Sequence, residues 1–202
     1  MKRNISLILN ILIIILEIIG FIITLNNNGR IGIEYYTEDS NILMLITSII
    51  FTFYLLFNKK IPNYLKLLKY TATICLTVTF LVVIFILAPM LNFNYNYLLF
   101  SNELLYHHLL CPILSIITFT FFDNFNKYSI KDNILATMVT FIYGIILVIL
   151  NLIKVVDGPY PFLRIYNQFL GASILWIIVI LSLTYIIALI LRLLNNRIKK
   201  NY

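Results

Sequence analysis

The chain has two histidines and they are adjacent: His107 and His108 lie in the segment Glu103 to Pro112, E-L-L-Y-H-H-L-L-C-P, at the head of an apolar run. Imidazole changes its charge near neutral pH, so it serves as a general base, a proton carrier or a metal ligand. On a helix Glu103 stands one turn before His107, where a carboxylate can meet and orient the ring. The same groups, with Asp39 or Glu38 as a third ligand, also have the residue types of a metal site. The plainer alternative is a rim histidine bonded to backbone or water, with one of the pair facing lipid headgroups. Successive helical residues point about 100° apart, so at most one imidazole is expected to face a bundle centre. Two histidines on one helix argue against a haem held between axial imidazoles within the chain, and no cofactor is expected.

Two more polar clusters accompany this one. The segment Y-Y-T-E-D-S-N, Tyr35 to Asn41, has a hydroxyl at Thr37 beside the carboxylates of Glu38 and Asp39. A Thr before an acidic turn reads as a helix N-cap, its oxygen accepting from a free backbone N–H. Alternatively Thr37 is a nucleophile, which needs a base within reach to take its proton. The segment D-G-P-Y-P-F-L-R, Asp157 to Arg164, contains Tyr160, Pro161 and Phe162. It reads as an interfacial aromatic belt with a rigid turn, or as a lid over a pocket. A further carboxylate, Glu17, stands deep in the first apolar run, with Asn10 two turns earlier on the same side. An intramembrane acid is by default a functional candidate; the bland alternative is a protonated Glu17, or one bonded to Thr73 or Thr77.

These residues are positioned by apolar runs long enough to span a bilayer, which takes about 20 residues. Six qualify: 5–25, 40–57, 70–91, 104–122, 133–153 and 166–194. Composition agrees, with 61% hydrophobic and 11% charged residues over the 202 positions and a mean hydropathy of +0.97. The expectation is an all-α integral membrane bundle of six transmembrane helices forming one domain. The opening M-K-R-N and its apolar run look like a signal peptide, but the run continues to Leu25 without a small-residue cleavage pattern, so it reads as a retained helix. Cys75 and Cys111 fall at different depths, about 10 Å apart by helical rise, and free thiols are expected.

The net charge of +7 raises nucleic acid or an acidic membrane surface as partner, and its placement between apolar runs favours membrane lipids. Lys2, Arg3, Lys59, Lys60, Lys66, Lys69, Lys127, Lys131, Arg192, Arg197, Lys199 and Lys200 fall on one side; Arg30, Lys154 and Arg164 fall on the other. By the positive-inside rule both termini are cytoplasmic, in the plasma (inner) membrane of a cell. The three polar clusters then share the outer face.

The three clusters also carry a resemblance. Tyr36-Thr37 just before the second run, His107 five residues before Pro112, and Tyr160-Pro161-Phe162-Leu163 before the last run resemble, in order and spacing, the androgen-induced-gene family of multipass membrane threonine hydrolases and a related group of six-helix bacterial proteins. The resemblance implies a lipid-ester hydrolase in which Thr37 attacks the carbonyl. His107 would take the proton, with His108 the alternative, and Glu103 or Asp39 would orient the imidazole. Asn41, Ser40 or backbone amides are candidate oxyanion donors, and Tyr36, Tyr160, Pro161 and Phe162 are expected to shape the substrate mouth. The rival expectation is a non-enzymatic small-molecule binder or proton-coupled transporter built on Glu17.

Overall fold

The computed structural model describes residues 2–123 and 127–200; the side chains of Lys199 and Lys200, counted above among the inner cations, lie outside it. Among the described residues, six helices are long and apolar enough to cross a membrane: α1 (Lys2–Asn28), α2 (Tyr36–Leu56), α3 (Asn63–Met90), α5 (Leu105–Phe122), α6 (Ile130–Leu152) and α7 (Leu170–Ile198). A short helix unforeseen from hydropathy, α4 (Tyr95–Phe100), lies between α3 and α5. Its signal is local: the Asn94 side chain caps it by accepting from the Tyr97 N–H at 3.2 Å. Asn92, Phe93 and Asn102, at φ of 54°, 58° and 40°, turn the chain into and out of it. Among the described residues there is no strand.

Helix ends extend beyond the apolar runs because polar side chains join the terminal turns. α2 starts at Tyr36, so Glu38 and Asp39 occupy its first turn, where carboxylates suit the positive helix end. Tyr35, rather than Thr37, is the N-cap, and no side chain caps the helix. α6 starts on a capping box in which the Ser129 hydroxyl accepts from the Asp132 N–H and the Asp132 carboxylate accepts from the Ser129 N–H. The last helix starts later than its apolar run, since 3₁₀ turns at Pro161–Leu163 and Ile165–Asn167 occupy the approach.

α3 is the most enclosed of the six, while α1, α6 and α7 present large apolar side chains such as Ile8, Ile134 and Leu175 outward. Tyr70 of α3 is fully buried, its ring stacked on Phe119 at 5.3 Å and its hydroxyl 2.8 Å from Asn133 Oδ1. Both cysteines are free and buried, in separate apolar clusters.

Two helices contain a π-turn close to a proline. In α3 the Ala88 N–H reaches back five residues to the Val83 carbonyl, just before Pro89. In α5 the Cys111 N–H reaches the Tyr106 carbonyl, just before Pro112. Proline has no N–H and its ring crowds the carbonyl four residues back, so the preceding turn widens.

At the end of the bundle where α2 finishes and α3 begins, a polar cluster is buried. Lys69 Nζ donates to Asn10 Oδ1 at 2.7 Å and Ser48 Oγ at 2.9 Å, and Asp123 Oδ2 is 3.9 Å away. Ser6 and Asn10 donate to the same aspartate. Removing one partner of such a pair leaves an uncompensated buried charge, worth roughly 3–5 kcal/mol. Lys69→Met is therefore expected to destabilise the detergent-solubilised protein by about that amount in denaturant unfolding, and adding Asp123→Asn to recover much of it; a double variant no more stable than the single one would contradict this. Burial raises the Asp123 carboxyl from 3.8 to about 6. A raised carboxyl stabilises when protonated, so its contribution is full below about pH 4 and lost as pH rises through about 6. Unfolding of Asp123→Asn should lack that pH dependence.

Candidate active site at the start of α2

Thr37 and the imidazoles do come together, through His108. Thr37 Oγ1 lies 3.3 Å from His108 Nε2, and both side chains are buried. The other ring nitrogen, His108 Nδ1, is 2.8 Å from the Leu98 carbonyl oxygen of α4. A carbonyl only accepts, so Nδ1 carries the hydrogen and, in the neutral ring, Nε2 is left with its lone pair toward the hydroxyl. This is the tautomer a general base needs, and the distance is within the looser range of an unliganded site. The residue expected as base, His107, points elsewhere.

At most one imidazole was expected to face the bundle centre, and both are enclosed. His107 is fully buried and His108 nearly so. They diverge to opposite neighbours: His108 turns to α2 and α4, and His107 turns to α1, its ring 4.6 Å from that of Phe21. The short helix α4 supplies the wall that hydropathy did not foresee. Because the Cys111 N–H bonds to Tyr106, the His107 carbonyl lacks its usual helical donor, and Asn41 Nδ2 approaches it at 3.4 Å.

Other expected roles move as well. Glu103 orients neither imidazole: its Oε2 accepts from Asn27 Nδ2 at 3.0 Å on the exposed rim. Asp39 is half-buried, and among the described residues the carboxylates within 4 Å of an imidazole are Glu17 and Glu38, both beside His107. Ser40 Oγ and Asn41 Nδ2 donate to the Thr37 carbonyl at 2.9 and 2.7 Å, so both are engaged in holding the first turn. Thr73 and Thr77 donate to carbonyls of their own helix, leaving Glu17 to face His107. Among the described residues no group of three His, Cys, Asp or Glu is arranged to hold a metal ion.

Tyr160 completes the surroundings of Thr37. Its hydroxyl oxygen accepts from the Thr37 N–H at 3.3 Å. The ring is stacked on Phe162 at 5.3 Å and 7°, and Phe162 in turn meets Trp176. Gly158 admits the close fold of this connection, since a Cβ there would lie 2.5 Å from the Leu163 backbone. Burial lifts the Tyr160 phenol to about 12, so it stays a neutral donor at physiological pH. Pro161 opens the 3₁₀ turn that carries Phe162.

Thr37, Tyr36, Tyr160 and Phe162 form part of the wall of an apolar cavity of about 230 Å³ between α3, α6 and α7, with Val83 and Trp176 on its far sides. Tyr36 is fixed there by a 2.7 Å hydrogen bond between its hydroxyl and Thr140 Oγ1. A hydroxyl, a correctly tautomeric imidazole and a phenol thus meet beside a space suited to a hydrocarbon chain.

No family model matches the chain, and no curated protein or solved structure matches it.

Gly20 is the other close approach in this region. A Cβ there would stand 2.4 Å from His107 Nε2 and 3.1 Å from Tyr106 Cβ. Gly20→Ala is expected to cost about 1–3 kcal/mol through the forced shift of the imidazole. Thermal unfolding in detergent measures it, and an unchanged midpoint would contradict the packing described.

Proposed function

We propose that the chain is a membrane-embedded hydrolase of lipid esters in which Thr37 is the nucleophile and His108 the general base. The observation that carries this reading is the Thr37 Oγ1 to His108 Nε2 approach of 3.3 Å, with Nδ1 held by the Leu98 carbonyl. The resemblance of its three motifs to the androgen-induced-gene family supports the same chemistry, with the base one position later than the proline spacing implies. The charge asymmetry of the connections supports cytoplasmic termini and a site at the outer face of the plasma membrane.

In this mechanism His108 Nε2 takes the Thr37 hydroxyl proton as Oγ1 attacks the ester carbonyl carbon. Negative charge develops on the former carbonyl oxygen. Tyr160 is the donor for it: its oxygen accepts from the Thr37 N–H, and its own hydrogen is left to turn toward an oxyanion beside Oγ1. Collapse of the tetrahedral intermediate expels the alcohol, protonated by His108, and leaves an acyl ester on Thr37. Water then gives a proton to His108 and attacks the acyl carbon; the fatty acid departs and Thr37 regains its hydrogen. The acyl chain occupies the apolar cavity throughout. Glu38, next in sequence to Thr37, directs its carboxylate to His107 Nδ1 at 3.6 Å.

Labelling of the purified protein with a fluorophosphonate probe tests this. Wild type should label and Thr37→Ala should not. His108→Ala should slow labelling by roughly 10²–10⁴-fold, the usual worth of a general base. Tyr160→Phe, which keeps the ring stack, should slow it by roughly 10²–10³-fold, the usual worth of one oxyanion donor. Wild type that fails to label, or labels equally as Thr37→Ala, would contradict the reading.

A further inference from the structure

The hydrolase reading leaves the most unusual group in the molecule without a role. Glu17 of α1 and His107 of α5 are fully buried, and Glu38 of α2 is 8% exposed. Each nitrogen of the His107 ring faces one carboxylate: Nε2 is 3.8 Å from Glu17 Oε2 and Nδ1 is 3.6 Å from Glu38 Oε1. Both ring nitrogens, both Glu17 oxygens and Glu38 Oε2 are buried without a hydrogen-bond partner. Buried polar atoms are nearly always paired, so five orphans in one place mark a site built for something else.

We propose that Glu17, His107 and Glu38 form a buried proton-binding site, a carboxyl–imidazole–carboxyl chain that stores protons inside the bundle and exchanges them with the end where α2 begins. Two carboxylates flanking a neutral imidazole would put two uncompensated negative charges out of contact with water, at several kcal/mol per ion. Neutrality takes two more protons: an imidazolium between one carboxylate and one carboxylic acid, or a neutral ring between two acids. With protons in place each ring nitrogen and each carboxyl gains a partner along the chain, after closures of under an ångström.

The occupant is the proton because larger ones do not fit the geometry. The two carboxylates approach opposite nitrogens of one ring, so they cannot share a metal ion with it. The space beside Nε2 is filled by the close approach of Gly20, and Phe21 covers the ring. The surrounding charged and titratable groups are Asp39 on α2, Lys69 on α3, Glu103 just before α5, and His108 and Cys111 on α5 itself; the two titratable side chains of α4, Tyr95 and Tyr97, are exposed. Toward the other end, the apolar cluster of Ile13, Met44, Ala72, Leu76 and Cys111 is fully buried, and Lys69 Nζ lies against its Met44 Sδ at 3.4 Å. The half-buried Asp39, next in sequence to Glu38, places the exchange at the end where α2 begins.

Infrared spectroscopy of the protein in lipid nanodiscs, at about pH 8 where Asp123 with its value of about 6 is ionised, tests the proposal without reference to any hydrolase activity. The expected result is a carboxylic-acid C=O band that shifts in D₂O and is removed by Glu17→Gln or by Glu38→Gln, both neutral near-isosteres. Two variants guard against one failing to fold. Absence of the band in wild type, or a band that persists unchanged in both variants, would overturn the proposal.

Discussion

The missing N–H of Pro112 is the constraint on which the site depends. In a helix that spans lipid, every backbone group must find a partner inside the protein. Without a donor at Pro112 the turn before it widens, the Cys111 N–H bonds to Tyr106, and the His107 carbonyl is left for Asn41 on α2. That contact ties α5 to α2 at the level of Thr37. The histidines it carries then diverge, one toward the α2 hydroxyl and the other toward the α1 carboxylate. Pro89 acts on α3 in the same way, widening the turn that helps line the cavity beside Thr37.

The ionisable side chains buried in the bundle interior form two groups. At one end Lys69 and Asp123 neutralise each other and are further bonded by Ser6, Asn10 and Ser48. At the other, Thr37, His108 and Tyr160 stand back to back with Glu17, His107 and Glu38. The division gives adjacent histidines different surroundings. His108 has the Thr37 hydroxyl and the Leu98 carbonyl, whereas His107 has two carboxylates.

Part of this was legible in the sequence. The six spans follow from apolar length alone, and Thr37, Glu17 and the histidine pair, singled out as polar residues in or beside apolar runs, are buried. The choice of histidine was not legible, because it turns on a π-turn and on the backbone carbonyl of Leu98, which no side-chain pattern reports. Glu103 was misread for a related reason: helical spacing places it under His107, but Asn27 on a neighbouring helix competes for it. The N-cap reading of Thr37 failed because the N-cap is Tyr35 and the helix starts at Tyr36, two residues earlier than that reading requires, so Thr37 lies inside the first turn. Glu17 stood out as an intramembrane acid, yet its partner lies on another helix and Thr73 and Thr77 are bonded to their own.

The central claim is that Thr37, activated by His108, forms a covalent acyl intermediate. Its most direct test is to incubate the solubilised protein with a p-nitrophenyl ester of a medium-chain fatty acid, quench in acid, digest, and locate the acyl mass by tandem mass spectrometry. The account predicts the acyl group on Thr37 in wild type and none in His108→Ala. An acyl group on Ser40 or any other residue, or turnover of the ester with Thr37 unmodified, would contradict it.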